Sequence, residues 1–449
     1  MSAERPRAGM KAGQGRDMLL DPDPQAHSSG AQRALALPET GIPDPFAPVS
    51  TPGFLAGRGV LIIVENLPVP FDRRVWQEAL ALRDGGAEVS VICPAGDGAP
   101  AGEHLVEGIH IHRHPLPPDA RGAAGYLREY AAALWQQSRL AWRIWRRRRF
   151  DVIHGCNPPD LIFLVALQFR LAGCRFVFDH HDISPELFEA KFGKRGVLWW
   201  LLRGVERLTF AVADVSIATN ESYRKIACGR GAMAPERVFV VRSGPDQGRL
   251  RRVPANPRWK SGRRFLVGYV GVMGAQEGID LLLRSAEILC RERGRRDLQF
   301  VLVGGGPELE ALRALSRRMG LEDVVSFPGR LPDADLFEML STADICVNPD
   351  RVTPMNDLST MNKILEYMVF AKPIVQFDVT EGRVSAGPAS LYARANDPED
   401  FADRIEALLA DPEMRHVMGQ AGLKRLREGL CWPQQVPALH AAYRRVLGL

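Results

Sequence analysis

Asn362 and Glu366 stand four residues apart, with Lys363 between them, in the segment 356–368. Residues at that spacing share one face of a helix, so a helix over 363–370 presents an amide and a carboxylate side by side. A carboxylate there accepts hydrogen bonds from sugar or ribose hydroxyls. Ser359 or Thr360 is suited to cap the helix start, and Pro373 follows its end. The competing reading is an ordinary solvated helix glutamate.

Two glycine loops precede this segment. Gly304-Gly305-Gly306-Pro307 follows an apolar run and opens a helix expected over 308–318, and Gly271-Val272-Met273-Gly274 leads to a helix expected over 279–291. Glycine lets a ligand approach the backbone closely, and the positive end of a helix favours phosphate or carboxylate. Neither loop carries the full G-x-G-x-x-G fingerprint. A phosphate cradle and a plain tight turn both fit.

Asp179-His180-His181-Asp182 ends a further apolar run, 175–178. A carboxylate beside an imidazole can fix its tautomer. Neighbouring side chains in an extended segment point to opposite faces, so this run is a poor metal cradle. Asp333 and Asp335 read as the acidic start of a helix. No metal is expected.

The scaffold for these residues follows from periodicity. Strands are expected at 60–64, 88–93, 151–154, 175–178 and 214–218, then at 265–270, 299–303, 324–327, 345–348 and 374–377. Amphipathic stretches such as 72–83 and 126–149 lie between them. Such alternation implies mostly parallel sheets covered on both faces. The expected fold class is α/β, with two Rossmann-like doubly wound domains facing across a cleft. The expected boundaries are a disordered tail over 1–57, a first domain over 58–245, a linker over 246–264, a second domain over 265–428 and a final segment over 429–449. The tail holds eight Pro and seven Gly, too little apolar surface to offset ordering entropy.

Composition narrows the class. The chain of 449 residues has a net charge of +5 and seven scattered cysteines without a Cys-x-x-Cys pair, which fits a reducing compartment. No apolar run approaches the roughly 20 residues that span a bilayer, and the N-terminus shows no signal-peptide pattern. A cytoplasmic location is expected. Six of the residues 139–149 are Arg, with Trp135, Trp142 and Trp145 close by, a composition suited to anionic surfaces.

The joint pattern of VGGGPELEALRALSRRMGLEDVVSFPGRL, STADICVNP and STMNKILEYMVFAKPIV resembles family 4 of the glycosyltransferases. The first half agrees through ENLPVPFDRRVWQEALALRDGGAEVSVICP and FDHHDISPELFEAKFG, so the resemblance covers about residues 60–449. It implies the GT-B fold, a nucleoside diphosphate sugar as co-substrate, retention of anomeric configuration and no cofactor or divalent ion. The final segment, 429–449, then crosses back to the first domain. The GVMGxQxG segment is similar to a subgroup active in polysaccharide assembly.

Within that pattern Glu366 matches the second Glu of an E-x7-E motif, which holds the ribose, and the first falls at Leu358, with Asp357 the nearest carboxylate. The usual diphosphate-gripping cations fall at Val272 and Glu277, so Lys363 is expected to take over that role. Gly271, Gly274, Gly304, Gly305 and Asn362 complete the expected donor site, His181 lies near the donor sugar, and Asn66, Arg73 and Asn157 lie on the acceptor side. Arg74, Arg242 and Arg351 are further candidates. The partners implied are a nucleotide sugar and a saccharide or polyprenyl-linked acceptor. An anionic inner membrane face is a candidate partner through 135–149 or 194–208, and nucleic acid is not expected. A sugar-nucleotide epimerase or hydrolase, or a non-catalytic binding subunit, are the alternatives on the same fold.

Overall fold

The computed structural model describes residues 53–96, 98–115, 122–193, 195–245 and 250–449. Most of the expected tail, through 52, and residues 246–249 of the expected linker lie outside the described residues. Residues 53–57, read as tail, form turns in which Leu55 is fully buried and Phe54 lies against His440. The described residues divide into two compact units, 53–240 with 438–449, and 241–437.

The first unit is built on β1 (Gly59–Ile63), β2 (Glu88–Pro94), β3 (Gly102–Val106), β4 (Ile109–His114), β5 (Val152–Cys156), β6 (Arg175–His180), β7 (Val215–Ala218) and β8 (Val238–Val240). Their order is β3-β4-β2-β1-β5-β6-β7-β8, parallel except for β3 against β4. Helices α1 (Arg73–Asp84), α2 (Gly122–Arg147), α3 (Phe163–Arg170), α4 (Ser184–Phe192), α5 (Val197–Val212) and α6 (Glu221–Cys228) connect them. Every residue of β1 is buried, as a central strand covered on both faces requires. Asp72 caps α1 by accepting from Val75 N–H at 3.1 Å, which fixes where Arg74 enters the helix. Strand order reverses between β1 and β5, so a crevice opens beyond their carboxyl ends.

The hairpin of β3 and β4 was not expected. On β4 the buried Ile109 and Ile111 alternate with His110 and His112, and β3 is a largely exposed edge. Edge strands are polar, so no apolar run marks them.

The second unit holds β9 (Phe265–Val270), β10 (Leu298–Val303), β11 (Val325–Gly329), β12 (Ile345–Asn348), β13 (Ile374–Phe377) and β14 (Ser390–Ala393). The order is β11-β10-β9-β12-β13-β14, parallel throughout, with the reversal between β9 and β12. Its helices are α7 (Ile279–Glu287), α8 (Leu309–Arg318), α9 (Asp333–Thr342), α10 (Pro354–Leu358), α11 (Asn362–Val369), α12 (Thr380–Ala386), α13 (Pro398–Ala410) and α14 (Pro412–Arg425). The last helix, α15 (Trp432–Leu447), starts in this unit, and from Ala438 onward it belongs to the first.

One local expectation holds and another is corrected. Ala275–Glu277 is a single 3₁₀ turn, Gly278 adopts φ 62°, and α7 begins at Ile279, where the helix is expected. A Cβ on Gly278 would lie 2.1 Å from the Pro349 carbonyl oxygen, so the close approach of these loops requires glycine. Neither Ser359 nor Thr360 is the residue before α11, since Met361 occupies that place and provides no side-chain cap. Ser359 Oγ instead donates to the Met355 carbonyl at 2.8 Å, closing α10.

Candidate functional site

In the second unit the two glycine loops lock together at the carboxyl ends of β9 and β10. Gly271 N–H donates to the Val303 carbonyl at 3.1 Å, and Met273 N–H donates to that of Gly305 at 2.9 Å. Gly304 has φ 138°, and a Cβ there would stand 1.8 Å from the Gly271 oxygen. Only glycine permits this contact. Gly274 is buried and Gly305 half-buried. Arg330, just after β11, places Nε 3.7 Å from where a Cβ on Gly305 would sit, so a guanidinium stands beside the loop. Nothing in the sequence pattern singled out Arg330, because surface arginines are common.

Helix α11 is tied to these loops from beneath. Tyr367 Oη accepts from Val270 N–H at 2.9 Å and lies 3.2 Å from the Val347 carbonyl, filling the gap where β9 and β12 part. Lys363 is buried, with Nζ bonded to Glu277 and, at 2.9 Å, to Asp350 Oδ1. Tyr269 Oη donates to the same Glu277 carboxylate at 3.2 Å. Burial alone would lower the Lys363 pKa, but Asp350 and Glu277 raise it above its ordinary value. Burial, reinforced by Glu277 and only partly offset by Lys363, pushes Asp350 up to about 8.

The expectation that Lys363 offers a free cation to a diphosphate is therefore corrected. Its ammonium is paired with Glu277 and Asp350 inside the unit. Asp357 is also engaged: its carboxylate accepts from Thr380 N–H at 2.8 Å and Oγ1 at 3.0 Å, at the start of α12. Asn356, fully internal, donates to the carbonyls of Gln276 and Arg351 at 3.0 and 2.9 Å. Much of the polar segment 356–363 thus holds loops together. Asn362 is half-buried in the first turn of α11, and Glu366 lies one turn on, 7% exposed. Arg351 pairs with Asp280, and Arg242 lies 3.5 Å from Glu381.

In the first unit, His181 follows β6 and meets a buried ionic network. Its Nε2 contacts Asp179 Oδ2 and stands 3.0 Å from Arg74 Nε. One nitrogen cannot donate to Asp179 and accept from Arg74 at once, so the proton's place on this ring is contested by two groups. Arg74 Nη2 lies 2.9 Å from Asp179 Oδ1 and 3.0 Å from Glu78 Oε1. Burial would raise the Asp179 pKa, but Arg74, His181 and His154 together hold it well below the usual carboxylate range. Burial pushes Glu78 well up, with Arg74 only partly opposing. Burial thus favours the protonated form of Glu78, while the surrounding cations favour the ionised form of Asp179. Glu78, Asp179 and His181 stand close enough for a metal ion, as do His154, Cys156 and Asp179. The Arg74 guanidinium already occupies the position of the cation between the two carboxylates.

Asn157 is fully buried. Its Oδ1 accepts from the N–H groups of His181 and Asp182 at 2.7 and 3.1 Å, and its Nδ2 donates to Asp160 Oδ1 at 2.7 Å. It positions His181. His180 faces the other way, among Phe178, Phe210 and Tyr223, as alternation requires. Asn66 and Arg73 are half-buried at the carboxyl end of β1 and the start of α1.

Two parallel-sheet units, each with its polar residues beyond the strand reversal, define the class as a two-Rossmann-like α/β protein of the GT-B type. Residues 72–249 match the family described as Glycosyltransferase Family 4, and residues 264–411 match Glycosyl transferases group 1. The chain belongs to the family 4, group 1 glycosyltransferases. It is 26% identical to the alpha-D-kanosaminyltransferase of Streptomyces kanamyceticus over 333 residues, which cover 70% of this chain and 82% of that one. Sucrose-phosphate synthase from Thermosynechococcus elongatus superposes with a TM-score of 0.74 at 18% identity, covering 87% of this chain and 99% of that one. Anabaena HepE, solved in complex with UDP-glucose, superposes with a TM-score of 0.65 at 15% identity, covering 87% and 100%.

Proposed function

We propose that this glycosyltransferase moves a sugar from a nucleoside diphosphate sugar to a hydroxyl of a saccharide or lipid-linked acceptor, with retention, in cell-surface polysaccharide assembly. The observation that carries this reading is the interlocked pair of glycine loops at the β9/β12 reversal, with Asn362 and Glu366 on the helix that Tyr367 ties to them. Loop backbone free of side chains at strand ends suits phosphate oxygens, and a buried carboxylate one turn into a helix suits ribose hydroxyls. Arg330 supplies positive charge beside Gly305, in place of Lys363. The UDP-glucose bound to HepE and the alpha linkage in the kanosaminyltransferase's name support the donor class and retention. His181 serves the transfer step, positioned by Asp179 and Asn157. Donor binding proceeds without a divalent ion, and the protein works in the cytoplasm, at the inner membrane face.

The test is incubation with a panel of nucleoside diphosphate sugars and acceptors, with NMR of the anomeric proton, with and without EDTA. Transfer that needs an acceptor, retains configuration and survives EDTA is expected. An inverted product, or sugar conversion without an acceptor, overturns the reading. Arg330→Ala should raise the donor KM about tenfold, the order expected for one charge-assisted contact.

A further inference from the structure

We propose that α5 (Val197–Val212) is the element that rests on an anionic lipid surface. The inference deepens the lipid-linked part of the proposed function and rests on it.

Two segments carry the tryptophans and arginines that suit a membrane interface, and the structure separates them. At the end of α2, Arg143 and Arg147 pair with Glu103 at 2.9 and 3.3 Å, and Arg148 pairs with Glu88. Trp145 is buried against Phe150 and Phe169. These groups serve the unit's own packing, while Trp135 and Trp142 of the same helix stay 63% and 40% exposed.

Helix α5 is different. A helix on the surface of a globular protein normally turns its polar side outward. Here Val197, Leu198, Trp200, Leu201 and Leu208 are each more than half exposed. Val197, Leu201, Gly204 and Leu208 recur at helical spacing as one outward stripe, and no atom lies within 4 Å of where a Cβ on Gly204 would be. The helix's single carboxylate, Glu206, points inward, 1% exposed, and bonds to Arg230 at 2.6 Å. Trp200, Arg203 and Arg207 flank one edge of the stripe, with the Arg203 guanidinium 5.7 Å from the Trp200 ring centre. Apolar residues in the centre, with tryptophan and arginine at the edge, match a helix lying in the headgroup boundary. A second copy of the chain would bring these arginines toward each other across a two-fold axis, whereas anionic headgroups complement them.

The experiment is flotation of the full chain with vesicles of phosphatidylcholine, with and without phosphatidylglycerol. The wild type should float only with the anionic lipid and lose binding at high salt. Leu201→Ser combined with Trp200→Ser should lower binding about tenfold or more, given the apolar area removed, while leaving the melting temperature and turnover on a soluble acceptor unchanged. Trp135→Ser should leave flotation intact. Loss with Trp135→Ser but not with the α5 pair overturns the assignment to α5 and leaves the membrane reading standing. No flotation of the wild type overturns both, while transfer to soluble acceptors still stands. Concentration-dependent dimers without lipid, abolished by the α5 pair, would show a second copy as the occupant and overturn it as well.

Discussion

Tyr443 Oη lies 2.9 Å from His154 Nδ1, and the opposite nitrogen of that ring lies 3.3 Å from Asp179 Oδ2. An anionic carboxylate at Nε2 favours the proton there, so the phenol donates to Nδ1. The last helix thereby reaches the carboxylate that holds His181. Tyr443→Phe removes the donor and leaves a buried acceptor unpaired, a loss of about 1–2 kcal/mol. Urea denaturation reads the stability loss, and kcat should fall severalfold while the donor KM holds. Unchanged kcat in the folded variant would detach Tyr443 from the transfer step.

The two carboxylates around Arg74 are not equivalent. Burial favours the protonated form of Glu78, so Glu78→Gln, which keeps the shape without the charge, should cost about 1 kcal/mol or less. Asp179 neutralises Arg74, and Asp179→Asn leaves a buried guanidinium without its main counter-charge, a loss of about 3 kcal/mol or more. Equal losses in chemical denaturation would show that the charge is shared.

Asp350 gives stability a distinct pH dependence. The folded carboxyl keeps its proton to about pH 8, whereas the unfolded chain loses it near 3.8. Between these values the folded state binds the extra proton, so stability falls as pH rises, by up to about 1.4 kcal/mol per unit. Asp350→Asn is neutral in both states and removes this contribution. The difference in unfolding free energy between variant and wild type should therefore change across pH 4 to 8, about the window set by 3.8 and 8. A constant difference would place the proton elsewhere.

Asp357 separates a structural role from a catalytic one. As a partner of Thr380 at the start of α12, its replacement by Asn should cost about 1 kcal/mol and change kcat by less than about threefold. A hundredfold loss of kcat without loss of stability would restore it as the missing first carboxylate.

Several features were legible in the sequence. Buried parallel strands are continuous apolar runs, and β9, β12 and β13 fall where those runs predicted them. The glycine loops at strand ends were legible too, and they meet at the carboxyl ends of β9 and β10 in the second unit. The edge strands β3 and β14 were illegible because a half-exposed strand has no apolar run to reveal it.

The sequence by itself determined the family, the alternation of strand and helix, and which residues could do chemistry. Only the tertiary structure decided which of them are free to do it. Lys363, Asp357 and Asn157 look like ligand-binding groups when read along the chain. Folding hands each a partner distant in sequence: Glu277 for Lys363, Thr380 for Asp357, and the His181 backbone for Asn157. A buried charge or amide must be paired to be tolerated, and pairing across long separations leaves no local pattern. Among the carboxylates that periodicity brought forward, Glu366 keeps its place on α11, while the network around His181 exists only once α1, β5, β6 and the final helix are assembled.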